Sequence, residues 1–273
     1  MEEYDLNKLH AILLIIAKEI RRICDANNIE YTLIGGSLIG AVRHKGFIPW
    51  DDDMDFAMVR EEYDRFRECC LTQLGEEFEL VDWHTDPYYG NGFIKIMLKG
   101  TVAVENGKQY SKTKKEIFVD IFPFDRIPND PKIRKKQRNT IYSAVRLLQQ
   151  KDGGKFIYSG TFAKRLIFFG LHVIAKFCKR DKLIYHCEKA MSEFKGKKGL
   201  CYTDTVGAYG YWREIVDDNI FGEYIEVPFE NIYFKIIKHY DEYLTLVFGD
   251  YMKLPPIENR RSHGLIEVDF GKY

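Results

Sequence analysis

Four carboxylates fall within five positions of the stretch FIPWDDDMDFAM: Asp51, Asp52, Asp53 and Asp55. Like charges this close repel one another and disfavour regular structure unless something offsets them. In an extended strand, residues i and i+2 share a face and lie roughly 6.5–7 Å apart. Asp53 and Asp55 then converge on one side, Met54 and Phe56 turn to the other, and Asp51 joins the acidic side by parity. Two carboxylates so placed can hold one or two hard divalent cations, whose charge cancels the repulsion. The stretch IFVDIFPFD supplies a third: Asp120 is a lone acid in an apolar strand, where an unpaired carboxylate is expensive to bury. Metal ligation is the simplest relief, so Asp53, Asp55 and Asp120 form the candidate metal-binding and catalytic set.

Other chemistries fit the run less well. Asp51, Asp53, Asp55 and Glu62 match positions 1, 3, 5 and 12 of an EF-hand loop, but position 6 is Phe56 where the sharp turn demands Gly. A glycosidase pair needs a raised-pKa acid opposite a separate nucleophile, which neighbouring acids on one strand do not create. A solvated acidic loop remains the plain alternative. It weakens beside Gly35-Gly36-Ser37, a strand-to-helix turn where missing Cβ atoms let backbone N–H groups approach phosphate oxygens.

The elements that must position these residues follow from periodicity. Apolar residues 6, 9, 13, 16, 20 and 23 recur at helical spacing, predicting an amphipathic helix over about 6–26 rather than a targeting segment. IEYTLIGG reads as a strand, and SLIGAVRHKG as a short helix capped by Ser37 and stopped by Gly46. DMDFAMV is a strand and EEYDRFRECCLTQL a helix. FELVDW, FIKIMLKGTVAVE and EIFVDIFPF are further strands. From about 131 to 195 the pattern is basic and helical, in three helices, and a helix is expected near 229–248. The reading is an α+β protein in two parts, residues 1–128 as catalytic core and residues 129–273 as a mainly helical basic region whose C-terminal motif packs back on the core.

Composition bounds the function classes. The 273 residues are 45% hydrophobic and 30% charged, ample for a core and unlike a disordered chain. No internal repeat or membrane-length apolar run is present. The six cysteines have no zinc-type spacing and read as reduced thiols of a cytoplasmic protein. Net charge is zero but uneven: residues 1–107 carry 11 Lys+Arg against 20 Asp+Glu, residues 108–198 carry 23 against 8, and residues 199–273 carry 7 against 13. The basic middle suggests contact with an anionic surface or polymer. Within it, GTFAKRLIFFGLHVIAKFCKR places Phe162, Leu166, Phe169, Val173 and Phe177 at helical spacing between basic ends. That helix is either buried core or an interfacial helix resting on anionic lipid.

The order Gly-Gly-Ser, paired Asp, then an isolated Asp on a later strand resembles the nucleotidyltransferase fold of the DNA polymerase beta type. GGSLIGAVRHKGFIPWDDDMDFAM is similar to the signature of the LicD family, whose members transfer phosphorylcholine to cell-surface glycans and which is related to fukutin-type ribitol-phosphate transferases. FVDIFPFD resembles the second family motif, and YDEYLTLVFGDYMKLPP with NRRSHG the C-terminal one. The resemblance implies a small mixed sheet whose Asp53, Asp55 and Asp120 bind Mg2+ or Mn2+, as two ions. It implies a CDP-choline donor, a lipid-linked or polyanionic glycan acceptor of the teichoic-acid type and no nucleic-acid partner. The location expected is cytoplasmic, in peripheral contact with the inner face of the cell membrane.

Gly36 and Ser37 would then belong to the phosphate-facing turn. Arg43, His44 and Lys45 would reach the diphosphate, or simply end a helix in charge. Lys95 would face the diphosphate or solvent. Trp50 would meet the quaternary ammonium or anchor its loop, with Tyr88 and Tyr89 as weaker candidates. The rival functions are transfer of a nucleoside monophosphate to a small acceptor, transfer of another CDP-linked alditol phosphate, and a catalytically silent glycan-binding protein.

Overall fold

The computed structural model describes residues 4–153, 161–260, 262 and 264–273, with the side chains of residues 162–165 outside the description. Helix α1 (Leu6–Asn27) opens the chain, its first turn capped by the Asp5 carboxylate accepting the Lys8 N–H at 3.1 Å. Its stripe of Leu9, Leu13, Ile16, Ile20 and Ile23 is buried, as the spacing requires. Strand β1 (Thr32–Leu33) leads into α2 (Gly35–Ile39), which continues as a π-helical turn to His44. This helix starts two residues before the expected cap. Ile34 occupies the N-cap position, and Lys45, at φ 59°, ends the helix in place of Gly46.

Strand β2 (Asp55–Val59), α3 (Arg60–Gln73), β3 (Phe78–Val81), β4 (Ile94–Leu98), β5 (Val102–Glu105) and β6 (Ile117–Arg126) follow. The principal sheet runs β1-β2-β6-β4-β3, with β2 parallel to β6 and the other neighbours antiparallel. Alternation along β6 explains its two faces. Ile117, Val119 and Ile121 are buried in the main core, whereas Phe118, Asp120 and Phe122 turn toward the cleft described below. The strand continues through Pro123. That residue, which has no N–H, falls between the β4 pairing that ends at Ile121 and the pairing with a later strand, residues 202–204, that starts at Phe124.

Beyond residue 130 come α4 (Pro131–Gln149), α5 (Phe162–Phe177), α6 (Arg180–Ser192) and β7 (Tyr202–Asp204). Helices α4 and α6 share a second, smaller core built on Ile141, Leu148, Ile184, Cys187 and Met191. The helix expected near 229–248 is instead a hairpin, β8 (Tyr224–Phe229) with β9 (Ile232–Ile237), followed by α7 (Tyr240–Phe248). The β-branched and aromatic run EYIEVPFENIYFKII favours pleated packing, and the two-residue Glu230–Asn231 turn, with Glu230 at φ 52°, reverses it. Strand β10 (Leu265–Asp269) pairs with β5.

Helix α5 is not a core helix. Of its described side chains only Ala175 is buried, while Leu166, Ile167, Phe169, Val173, Ile174 and Phe177 are exposed. Among the described residues, no helix is long and apolar enough to cross a membrane.

Candidate active site

Strand β2 begins at Asp55, so Asp51–Met54 approach as irregular backbone, yet the alternation of faces holds. Met54 and Phe56 are fully buried, while Asp53 and Asp55 both line the cleft. The Met54 carbonyl accepts the Asp120 N–H at 3.1 Å, extending the β2–β6 ladder by one bond. In register, Asp55 lies opposite Asp120, and Asp120 opposite Lys95. Three charged residues on adjacent strands thus form one row, each step about 4.8 Å across the sheet.

The four acids of the opening run divide their work. Asp52 is buried and accepts from the Tyr4 hydroxyl at 2.8 Å and from the Gly264 and Leu265 N–H groups at 3.3 and 3.4 Å, tying the segment before α1 to the start of β10. Asp51 is also buried, and its carboxylate lies where a Gly36 side chain would begin, so only Gly fits there. Asp51 therefore packs against the Gly turn and not toward the cleft, because the strand that would give it parity with Asp53 has not begun. Ser37 is buried as well, and its hydroxyl accepts the Asp55 N–H at 2.9 Å. Gly35, at φ +58°, is the member of the Gly-Gly-Ser turn that lines the cleft; its missing Cβ would sit 3.6 Å from Asp55 Oδ2 and 3.9 Å from the Tyr209 ring.

The cleft has a volume of about 390 Å³. Asp52, Asp53, Asp55 and Asp120 line one side; Glu105, Asp204 and Glu214 are further lining carboxylates, and among the described residues no Lys, Arg or His lines the cleft. Lys95 sits just behind, with Nζ 3.2 Å from Asp120, 3.5 Å from Glu105, and 3.1 Å from the centre of the Phe118 ring. It is only 2% exposed, so it does not face solvent; on the same face of the sheet as Asp120, it holds the end of the acidic row. Burial, reinforced by Glu105 and Asp53, pushes the Asp120 carboxyl up to about 7 although Lys95 opposes the shift. Its Oδ1 is buried and accepts no hydrogen bond of good geometry.

These residues fit a hard divalent cation. The donors are all carboxylate oxygens, one of them is buried without a hydrogen bond, and a positive charge would reverse the cost of gathering them. Among the described residues, no three His, Cys, Asp or Glu side chains are already drawn closely enough to hold a metal ion.

Over 277 aligned residues the chain is 30% identical to the lipopolysaccharide cholinephosphotransferase LicD of Haemophilus influenzae, covering 98% of this chain and 99% of that protein. The chain belongs to the LicD family. A family profile described as LicD/FKTN/FKRP, nucleotidyltransferase domain, matches residues 28–150. The human ribitol 5-phosphate transferase FKRP is 26% identical over 108 residues, 40% of this chain and 19% of that protein. The matched profile spans the Gly-Gly-Ser turn, the acidic run and Asp120. Family membership supports a transferase of phosphorylated groups.

The other candidate residues of this LicD-family chain gather away from the cleft. The Arg43 guanidinium donates to the Tyr251 and Lys253 carbonyls, and its Nε to His44. His44 packs edge-on to Trp50 at 6.4 Å, and Arg260 lies over the Trp50 ring at 4.8 Å. Burial and the neighbouring Arg43 lower the His44 pKa. The Lys45 carbonyl accepts the Glu230 N–H, joining the end of the motif's helical turn to the β8–β9 turn. The first motif and the C-terminal motif thus grip each other, and one face of Trp50 is already taken by a cation. Tyr88 and Tyr89 sit beside Lys95 and Lys112 rather than in the cleft.

Sequence reasoning missed the far wall. Residues 204–214 fold over the sheet, bringing Asp204, Tyr209 and Glu214 to the cleft. The available signal was the same as for Asp120, an acid ending a short β-like run, CYTD, before a Gly- and Tyr-rich turn. On the other side of this loop lies a second groove of about 490 Å³ bearing Arg138, Tyr142, Arg146, Trp212 and Arg213. There the Tyr142 ring is flanked by the guanidinium groups of Arg138 at 4.4 Å and Arg146 at 4.3 Å.

Proposed function

We propose that this protein transfers phosphorylcholine from CDP-choline to a hydroxyl of an anionic glycan precursor, with Mg2+ or Mn2+ bound by Asp53, Asp55 and Asp120. The observation that carries the reading is the acidic cleft itself. A diphosphate entering a space lined, among the described residues, by seven carboxylates and no cationic side chain would be repelled, so the site suits an anionic donor together with metal. Bound divalent ions would supply neutralisation of the diphosphate oxygens. Asp53 and Asp55 present their oxygens from one edge of the row and Asp120 from the next strand. Lys95 holds Asp120 from below, and Ser37 fixes the start of β2. The acceptor hydroxyl forms the new O–P bond at the choline-bearing phosphorus, the P–O bond to the nucleotide breaks, CMP leaves, and the hydroxyl proton passes to a cleft carboxylate.

The similarity to a protein named as a lipopolysaccharide cholinephosphotransferase favours choline over a ribitol head. The Arg- and aromatic-lined groove across the 205–213 loop suits an anionic glycan, because planar guanidinium groups pair with phosphates and rings stack on sugars. The test is product release. With Mg2+ or Mn2+ and each of CDP-choline, CDP-ribitol, CDP-glycerol, CTP and ATP in turn, CMP should appear from CDP-choline and disappear with chelator. Pyrophosphate from a triphosphate would instead identify a nucleotidyltransferase.

Peripheral attachment to an anionic membrane belongs to the same reading. The exposed apolar residues of α5 adjoin exposed Lys176 and Lys179, the combination that lies in a charged lipid interface. The protein should float with phosphatidylglycerol liposomes at low salt, less so at high salt, and poorly after Phe169→Glu with Phe177→Glu. Absence of flotation at either salt would discard the attachment.

A further inference from the structure

An antiparallel bridge joins Tyr202 to Val216, each N–H donating to the other's carbonyl at 2.8 and 2.9 Å. Asp204 lies two residues after Tyr202 and Glu214 two residues before Val216, close enough that the Glu214 charge acts on Asp204. Like charges held near one another are destabilising. Both residues are nonetheless buried, at 3% and 1% exposure, and both line the cleft.

The surroundings relieve the pair only in part. Asp204 Oδ1 accepts the Val206 and Gly207 N–H groups at 2.9 and 2.8 Å. Glu214 Oε1 accepts the Tyr243 hydroxyl at 2.7 Å, while Oε2 is buried without a hydrogen-bond partner. Neighbouring Arg213 donates its guanidinium to the Val247 carbonyl, and its charge relieves Glu214 only from a distance. Burial raises both carboxyls, Glu214 to about 7 although the Tyr243 hydroxyl and the Arg213 charge oppose the shift, and the Glu214 charge raises Asp204 further. Aromatic rings share the same space. Phe122 is two residues beyond Asp120 on the cleft face of β6, its ring centre 4.5 Å from that of Phe93, and Tyr209 lies next to Gly35 and hence to Asp55.

We propose that Asp204 and Glu214, walled by Phe93, Phe122 and Tyr209, form the subsite for the quaternary ammonium head of the donor. The inference rests on the CDP-choline reading and deepens it by assigning the group that selects choline. A trimethylammonium carries full positive charge but no N–H, so it is recognised by ring faces and buried carboxylates rather than by hydrogen bonds. An alditol head brings no charge to offset the pair. The carboxylate pair therefore selects for a cationic head, and the row at Asp55 and Asp120 handles the phosphates a short linker away.

The probe is choline itself, compared with its uncharged isostere 3,3-dimethylbutan-1-ol, in saturation-transfer NMR on the full chain. Choline should bind roughly tenfold more tightly than the isostere, a preference of the size cation–π and carboxylate recognition gives. Glu214→Gln and Asp204→Asn should abolish that preference while keeping the thermal melting profile, and should raise KM for CDP-choline with little change in kcat. Equal binding of the two probes, or an unchanged preference in Glu214→Gln, overturns the assignment. So does a loss of Mn2+ binding in Glu214→Gln, which would make the pair a metal site. Wild-type protein that releases CMP from CDP-choline without charge-selective choline binding would refute the subsite and keep the activity. Glu214-dependent choline binding without CMP release would do the reverse.

Discussion

Replacing Asp120 by Ala should lower metal-dependent transfer by about 10²–10³-fold or more, the scale of losing one directed electrostatic contact at a developing charge. The position is singular because it joins three strands. Its backbone N–H bonds Met54, its register partners are Asp55 and Lys95, and its Oδ1 is buried without a hydrogen bond. Ala also leaves Lys95 buried beside Glu105 at 3.5 Å and the Phe118 and Phe93 rings, without its closest carboxylate. Stability should therefore fall too, as it does when one partner of a buried pair is removed. Asp120→Asn keeps the volume and an acceptor for Lys95, so it separates the two effects: it should fold nearly as well as wild type and still fail to turn over. Mn2+ binding by electron paramagnetic resonance and CMP release, measured side by side, check this. Near-normal turnover in Asp120→Asn would refute the metal-ligand role.

The second large effect lies outside the cleft. Arg60, at the start of α3, donates Nε to Asp125 Oδ1 at 2.7 Å and an Nη to Oδ2 at 3.1 Å, and Asp125 has no exposed surface. Thr205 adds its hydroxyl to Asp125 Oδ2 at 2.6 Å. Opposing charge keeps Arg60 firmly protonated despite burial. Removing either partner strands the other in a dry interior, so Arg60→Ala or Asp125→Ala should destabilise by about 3–5 kcal/mol in urea or thermal denaturation. The paired apolar replacement Arg60→Met with Asp125→Leu should recover most of that loss, because no charge is then left unpartnered. It should not recover activity, since Thr205 would lose the anchor that sets the 205–213 wall next to Asp204. A single variant as stable as wild type would show that the pair contributes little.

What could be read from the chain alone was local and periodic. Asp53, Asp55 and Asp120 emerged because strand alternation and the cost of a lone buried acid depend on immediate neighbours. The LicD-type motifs carried the family and the α+β class. Residues whose meaning depends on distant partners were opaque. Nothing near Arg43 reveals that its guanidinium holds the Tyr251 carbonyl, and nothing near Trp50 reveals Arg260 over its ring. Ser37 looked like a cap because it follows two glycines, yet the backbone turns earlier, at Gly35 with its positive φ, and frees the hydroxyl for Asp55. Lys95 offered two readings, and its burial beside Asp120 excludes the solvent-facing one. Asp204 and Glu214 are ten positions apart, and only the folded chain brings both to one cleft.

That separation along the chain also bears on synthesis. The acidic floor of the cleft is complete once Asp120 has been made, but its opposing wall waits for residues 204–214. The strand that covers β5 and the N–H groups that satisfy Asp52 wait for residues 264–269. A nascent chain must therefore carry uncovered like charges and an open sheet edge until contacts more than 150 residues apart in sequence can close. Activity should thus arise late and all at once, leaving no partly built enzyme able to bind or hydrolyse the donor.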